Sequence, residues 1–161
     1  MGLDMYLYKR SYVQNWEHHS KDERYSISIL KGGMDTHIKP ERISYVEEHI
    51  CYWRKFNALH NWFVQNKANG VDNCQPVLIG SDDLSELLSL LEKVYTKISE
   101  NDVDGIKELF PPTQGFFFGS TEIDDSFKND VRITIQDLKN ILKEEKEHPN
   151  AYVSYIYSAS W

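Results

Sequence analysis

The two ends of the chain carry side chains that alternate with the period of a β-strand. In Leu3–Lys9, the apolar Leu3, Met5 and Leu7 alternate with Asp4, Tyr6 and Tyr8, as in a strand with one buried face. Ala151–Tyr157 carries Tyr152, Tyr155 and Tyr157 and reads as the last strand. Backbone amides and carbonyls of a strand need partners. Strands at both ends are therefore expected to join one sheet, with the intervening chain covering its apolar face.

That intervening chain supplies both strands and helices. Tyr25–Leu30, with Tyr25, Ile27 and Ile29 on one face and Gly32-Gly33 as its stop, is predicted as a second strand. Ile43–Tyr52 follows Pro40 and reads as a strand, against the grain of Glu47-Glu48. Trp53–Lys67 is predicted helical: Trp53, Phe56, His60, Phe63 and Val64 fall at helical spacing, and Asn69-Gly70 supplies a stop. Val77–Ile79 reads as a short strand. In Ser81–Ser99, Ser81 is the expected cap, Asp82 and Asp83 sit in the first turn, and Leu84, Leu87, Leu88, Leu91, Tyr95 and Ile98 form the apolar stripe. Asp124–Lys146 shows Phe127, Val131, Ile135, Leu138 and Leu142 on one face and stops before Pro149. Residues 10–23 are polar and read as loop. No linker, low-complexity tract or internal repeat interrupts the pattern, so residues 1–161 are expected to form a single domain. The fold class is α+β: one mixed, mainly antiparallel sheet covered by about three helices.

Charge narrows the partners. The formal net charge of −7 combines a first half (1–70) at +2 with a second half (71–161) at −9. Phosphate neutralisation supplies most non-specific affinity for duplex DNA, so an acidic chain without a Lys/Arg-rich arm is not expected to bind duplex nucleic acid. Cations for a compact anion would come from the first half. No apolar run approaches the roughly 20 residues that cross a bilayer, and MGLDMYLYKR has neither a secretory nor a myristoylation pattern. The expected location is cytoplasmic, with no membrane partner, and with Cys51 and Cys74 reduced.

Two segments concentrate functional side-chain types. In Tyr52–Phe63, Arg54, Asn57 and Asn61 recur at three- and four-residue steps, and Trp53, Asn57 and His60 form the adjacent row on the predicted helix. Arg54 offers a fork for an oxyanion, Lys55 a point charge, and Trp53 a stacking surface. The alternative is that Trp53, Phe56 and Phe63 are core, Arg54 and Lys55 are solvated, and His60 is a hydrogen-bonded core histidine. In Pro111–Ser120, Gly115 and Gly119 bracket three phenylalanines. As a strand this places Phe116 and Phe118 on one face, which lines a pocket or fills the core. Asp4, on the polar face of the first strand, is a candidate ligand-orienting carboxylate or a surface acid. The candidate ligand-binding set is therefore Asp4, Trp53, Arg54, Lys55, Asn57, His60, Asn61, Phe116 and Phe118.

Catalytic and metal signatures do not stand out. Neither Cys-x-x-Cys, His-Glu-x-x-His, Gly-x-Ser-x-Gly nor a phosphate-cradling glycine loop occurs. His18, His19, His37, His49 and His148 are scattered among polar stretches. Glu122, Asp124 and Asp125 are placed as helix-start acids are for the dipole. No catalytic residue, metal or cofactor is assigned.

The segments GLDMYLYKR (2–10), YWRKFNALHNWF (52–63), PPTQGFFFGSTEID (111–124) and the final Tyr/Ser/Trp run to Trp161 together resemble a family of small phage and prophage proteins that automatic labelling often calls phosphoglycerate kinase. The resemblance spans nearly the whole chain and implies a phage or prophage setting, with no established activity and no residue roles. The kinase label does not fit a chain of this length without a nucleotide-phosphate loop. Small phage proteins of this size often counter host defences, some by sequestering nucleotide-derived signals. The expected function is accordingly an anti-defence binding protein in the host cytoplasm, holding a small phosphate-containing signal unchanged, with a possible site shared across a homo-oligomer. Two alternatives are an enzyme that cleaves such a signal and an acidic inhibitor of a host nucleic-acid-binding or defence protein.

Overall fold

The structure, a computed structural model, describes residues 2–161. Its strands are β1 (Asp4–Tyr12), β2 (Leu30–Lys31), β3 (Met34–Asp35), β4 (Tyr45–Arg54), β5 (Val77–Ile79) and β6 (Val153–Ser160). Its helices are α1 (Asn57–Lys67), α2 (Ser81–Ser99), α3 (Val103–Leu109) and α4 (Asp125–Glu147). The main sheet has four strands in the order β4-β1-β6-β5, and every pairing is antiparallel. The fold is α+β, as the alternation at the two ends requires: β1 and β6 are neighbours at the centre of the sheet.

Register sorts the side chains onto two faces. Met5 lies opposite Trp53 on one side and Ala159 on the other, and Leu7 lies opposite Cys51 and Tyr157. These side chains, with Tyr155 and Ile79, are buried in one core together with Leu59 and Phe63 of α1, Leu84, Leu87 and Leu91 of α2, and Val131 and Leu138 of α4. Each fully buried leucine contributes about 1.5–3 kcal/mol. Phe63 stacks on Tyr157 at 3.9 Å between ring centroids, which fixes α1 against β6. The opposite face carries Asp4, Tyr6, Tyr8, His49, Tyr52 and Arg54, none of which belongs to that core.

Several expectations are corrected. Tyr25–Leu30 forms no strand: only Leu30–Lys31 pairs, with Met34–Asp35, in a two-stranded hairpin. Tyr25 and Ile29 are exposed, because no neighbouring strand or helix accepts the alternating face. The helix predicted from Trp53 starts at Asn57, because Trp53 and Arg54 are the last β4 residues, paired with Met5 and Asp4. Tertiary pairing overrides the helical spacing there. Gly115–Gly119 is a turn, with Phe118 N–H donating to the Gly115 carbonyl at 3.2 Å, so Phe116 and Phe118 do not share a strand face. Gly80 rather than Ser81 caps α2, its N–H donating to Asp83 Oδ2 at 2.8 Å. The short α3, capped by Asp102, adds a fourth helix. The buried stripes are also turned slightly from those read off the sequence: Val94 rather than Tyr95 in α2, and Thr134 and Ile141 beside Val131 and Leu138 in α4.

Candidate ligand site at the β4–α1 junction

The chain leaves β4 through a strained residue. Lys55 has φ +58°, a left-handed conformation that costs a non-glycine residue about 1–2 kcal/mol. Its N–H donates to the Leu3 carbonyl at 2.8 Å, which extends the β1–β4 ladder by one step while turning the backbone into α1. Two glycines flank its side chain. A Cβ on Gly2 would stand 3.1 Å from Lys55 Cε, and one on Gly119, itself at φ +83°, would stand 3.1 Å from Lys55 Cβ. Such strain gathers where surrounding contacts enforce it, often at ligand sites.

Asn57, buried at the first turn of α1, fixes the loop that forms the other side of this corner. Its amide donates to the Phe118 carbonyl at 3.0 Å and the Ser120 carbonyl at 2.8 Å, and its carbonyl oxygen accepts from Thr113 N–H at 3.2 Å. Leu3 N–H donates to the Phe117 carbonyl at 3.1 Å. The loop and the start of β1 are thereby joined around Lys55.

A cavity of about 170 Å³ opens at this junction, lined by Arg54, Lys55 and Ser120 together with the carboxylates Glu122, Asp124 and Asp130. Arg54 Nε stands 3.9 Å from Asp4 Oδ1, and its side chain is 60% exposed. Lys55 has no carboxylate within ion-pair distance among the described residues. Asp124 caps α4, accepting from Phe127 N–H at 2.9 Å. Burial, with the nearby Asp124 carboxylate, pushes the Asp130 carboxyl up to about 6. The Asp130 carbonyl accepts from Thr134 Oγ1 at 2.7 Å, and that oxygen accepts from Trp53 Nε1 at 2.9 Å, so the acidic wall is anchored to β4.

Beside the cavity lies the uncovered sheet face. Arg54 and Tyr52 are two residues apart on β4 and so project from the same face. Tyr6 lies 5.3 Å from both Tyr52 and His49, and Tyr8 lies 5.4 Å from His49, between ring centroids. Tyr52 Oη donates to Asp4 Oδ1 at 2.5 Å. That bond raises the phenol's pKa. Burial likewise raises the Tyr8 phenol, so Tyr8 and Tyr52 stay neutral at physiological pH and offer rings and hydroxyls.

The nine sequence-derived candidates divide into three groups. Arg54, Lys55 and Asn57 meet at the cavity, Arg54 and Lys55 as cations and Asn57 as a scaffold whose hydrogen bonds are spent on the loop. Asp4 holds Tyr52 and approaches Arg54. Trp53, His60, Asn61, Phe116 and Phe118 lie elsewhere. Trp53 is core. His60 is buried, its Nδ1 2.7 Å from the Tyr157 hydroxyl and its Nε2 3.0 Å from Asp72, while its ring packs on Phe118 and Trp161. Burial raises the Tyr157 phenol pKa well above its ordinary value, so that hydroxyl keeps its proton. Asn61 donates to the Pro111 carbonyl at 3.2 Å. Phe118 is buried, whereas Phe116 is 93% exposed at the loop tip. The shared helical face of Arg54, Asn57 and Asn61 does not form, since Arg54 belongs to a strand.

Sequence reasoning missed the Tyr6–Tyr8–His49–Tyr52 cluster and Asp130. The alternating tyrosines of β1 were a signal for the cluster, but only strand order shows that their face stays open. Nothing local marks Asp130. Comparison with family models, curated proteins and solved structures gives no match to this chain.

Proposed function

We propose that this protein binds a small phosphate-bearing molecule with a planar ring, of the nucleotide-derived signal class, and holds it without turnover. Arg54 and Lys55 take the phosphate at the mouth of the cavity, and the ring lies on the Tyr6–Tyr52 face. The observation that carries this reading is Lys55, held left-handed between two glycines with its ammonium unpaired among the described residues, beside Arg54 and an open aromatic surface. A cavity of about 170 Å³ lies below the roughly 300–1,000 Å³ of ordinary ligand pockets. It suits a phosphate group, with the rest of the ligand on the sheet. Stacking contributes roughly 1–3 kcal/mol per base and each charge-assisted hydrogen bond about 1.5–3 kcal/mol, enough for micromolar binding after ordering costs. The carboxylates that share this lining repel extended polyanions, so the two cations must hold the phosphate at the mouth. In a phage setting such binding withdraws a host nucleotide signal.

Titration calorimetry with cyclic dinucleotides tests the assignment. Arg54→Ala and Lys55→Ala are expected to abolish binding with little change in melting temperature, and Tyr52→Ala to weaken it about ten-fold, a loss of roughly 1.4 kcal/mol. Unchanged affinity in all three variants would refute the placement of the ligand.

One observation favours a second reading. A half-buried carboxyl that titrates near 6 beside two cations has the properties of a general acid or base, which would make the protein an enzyme that cleaves the same ligand class. Recovery of an altered product separates this reading from sequestration.

A further inference from the structure

The longest uncommitted surface of the molecule lies along β4 and the arm that precedes it. Between Val13 and Cys51 no residue is buried. The arm nevertheless carries Trp16, Leu30, Met34 and Ile38, each at least 47% exposed, with Met34 at 72%. Large apolar side chains left exposed in number are the material of association surfaces. The arm leads directly into β4, a ten-residue strand at the edge of the sheet that pairs only with β1. Its outer backbone groups form a template for a further strand.

We infer that this edge pairs antiparallel with β4 of a second copy of the chain, about a two-fold axis between Ile50 and Cys51. The side-chain faces select that register. Tyr45, Glu47 and His49 lie on the open face, and so do Tyr52 and Arg54, because a register shift between Leu7 and Tyr8 of β1 leaves Ile50 as an extra β4 residue. Pairing about Ile50/Cys51 therefore sets open-face residues against open-face residues: His49 opposite the partner's Tyr52, and Glu47 opposite the partner's Arg54. Directly opposed side chains in an antiparallel pair are about 4.5–5.5 Å apart at Cβ, so the two-fold creates the same Glu–Arg pair twice.

Both members are free to make it. Arg10 contacts Glu47 only through Oε2, at 2.8 and 3.0 Å, which leaves Oε1 available. The Arg54 guanidinium makes no hydrogen bond among the described residues and has only a distant Asp4. The interface is isologous and closed, as a two-fold requires. It brings the Tyr6–Tyr52 face of each copy beside that of the other, and the exposed arms lie at the margins of the shared sheet. This inference rests on strand edge and register; Arg54 is common to it and to the ligand reading, so Glu47→Arg, which leaves Arg54 in place, separates loss of the dimer from loss of the ligand.

Charge exchange tests it. Light scattering coupled to gel filtration, across the micromolar range at moderate salt, is expected to give twice the chain mass for the native protein. Glu47→Arg and Arg54→Glu should each place like charges opposite one another and raise the dimer dissociation constant at least ten-fold, while melting of the monomer stays cooperative. Combining the two changes restores the opposite-charge pairs across the two-fold and should restore the dimer. A monomeric native protein over that range overturns the inference, and so does a dimer indifferent to both single changes or one that the double change fails to restore.

Discussion

Replacing Asp130 by asparagine removes a charge that the fold holds at a disadvantage. The Asp130 carboxyl is raised from an ordinary 3.8 to about 6, first by burial and then by the Asp124 carboxylate. A rise of that size corresponds to about 3 kcal/mol between the two protonation states. The side chain is only partly buried, so water screens the interaction and about 1 kcal/mol is a fair expectation. The folded state binds this proton more tightly than the unfolded chain does. Ionised Asp130 therefore withholds stability above about pH 6, the penalty declines as pH falls from 6 toward 3.8, and it vanishes below that range. The neutral amide of the Asp130→Asn variant carries no such penalty and keeps nearly the same shape. The backbone carbonyl that accepts from Thr134 is untouched. Urea unfolding should show Asp130→Asn more stable than the native protein by about 1 kcal/mol near pH 8, with the gap closing near pH 4. A variant less stable at pH 8, or a gap equal at both pH values, would refute the account of this wall.

Two further substitutions or probes read other parts of the site. Asn57→Ala leaves Thr113 N–H without its acceptor and the Phe118 and Ser120 carbonyls without a donor; it should cost about 1–3 kcal/mol and speed amide exchange at Thr113, and unchanged exchange would show that Asn57 does not hold the loop. Cys51 is buried and its thiol is pushed up to about 12, chiefly by burial, whereas Cys74 is exposed. An aromatic disulfide reagent should therefore titrate Cys74 alone in the native protein and both thiols after denaturation; rapid labelling of Cys51 under native conditions would contradict its packing.

Much of the fold was legible because it rests on periodicity. Leu3, Met5 and Leu7 face the core as their spacing requires, and α2 and α4 begin and end near the residues that their stripes and acidic first turns indicated. The two misassigned strand and helix segments share one cause. Trp53 and Arg54 have helical spacing with Phe56 and His60, but pairing with Met5 and Asp4 holds them in a strand, and such pairing between distant segments leaves no local mark. Tyr25, Ile27 and Ile29 alternate without forming a strand because no element comes to pair with them. Arg54 and Lys55 were picked out by the density of functional side chains in Tyr52–Phe63, although the helical face expected to join Arg54 to Asn57 and Asn61 does not form. The open tyrosine face and the acidic wall were not, since both depend on strand order and on where α4 begins relative to β4.

Sequestration of a nucleotide-derived signal is tested most directly by finding what the protein carries and returns. The native protein, incubated with cyclic dinucleotides and cyclic ADP-ribose isomers and then freed of unbound molecules, is heat-denatured and the released material identified by mass spectrometry. The account predicts one such ligand retained, released with its mass and chromatographic identity unchanged, and absent from Arg54→Ala treated in the same way. Retention of none of them, with native protein shown to be folded, would contradict binding, and release of a cleaved product would contradict sequestration.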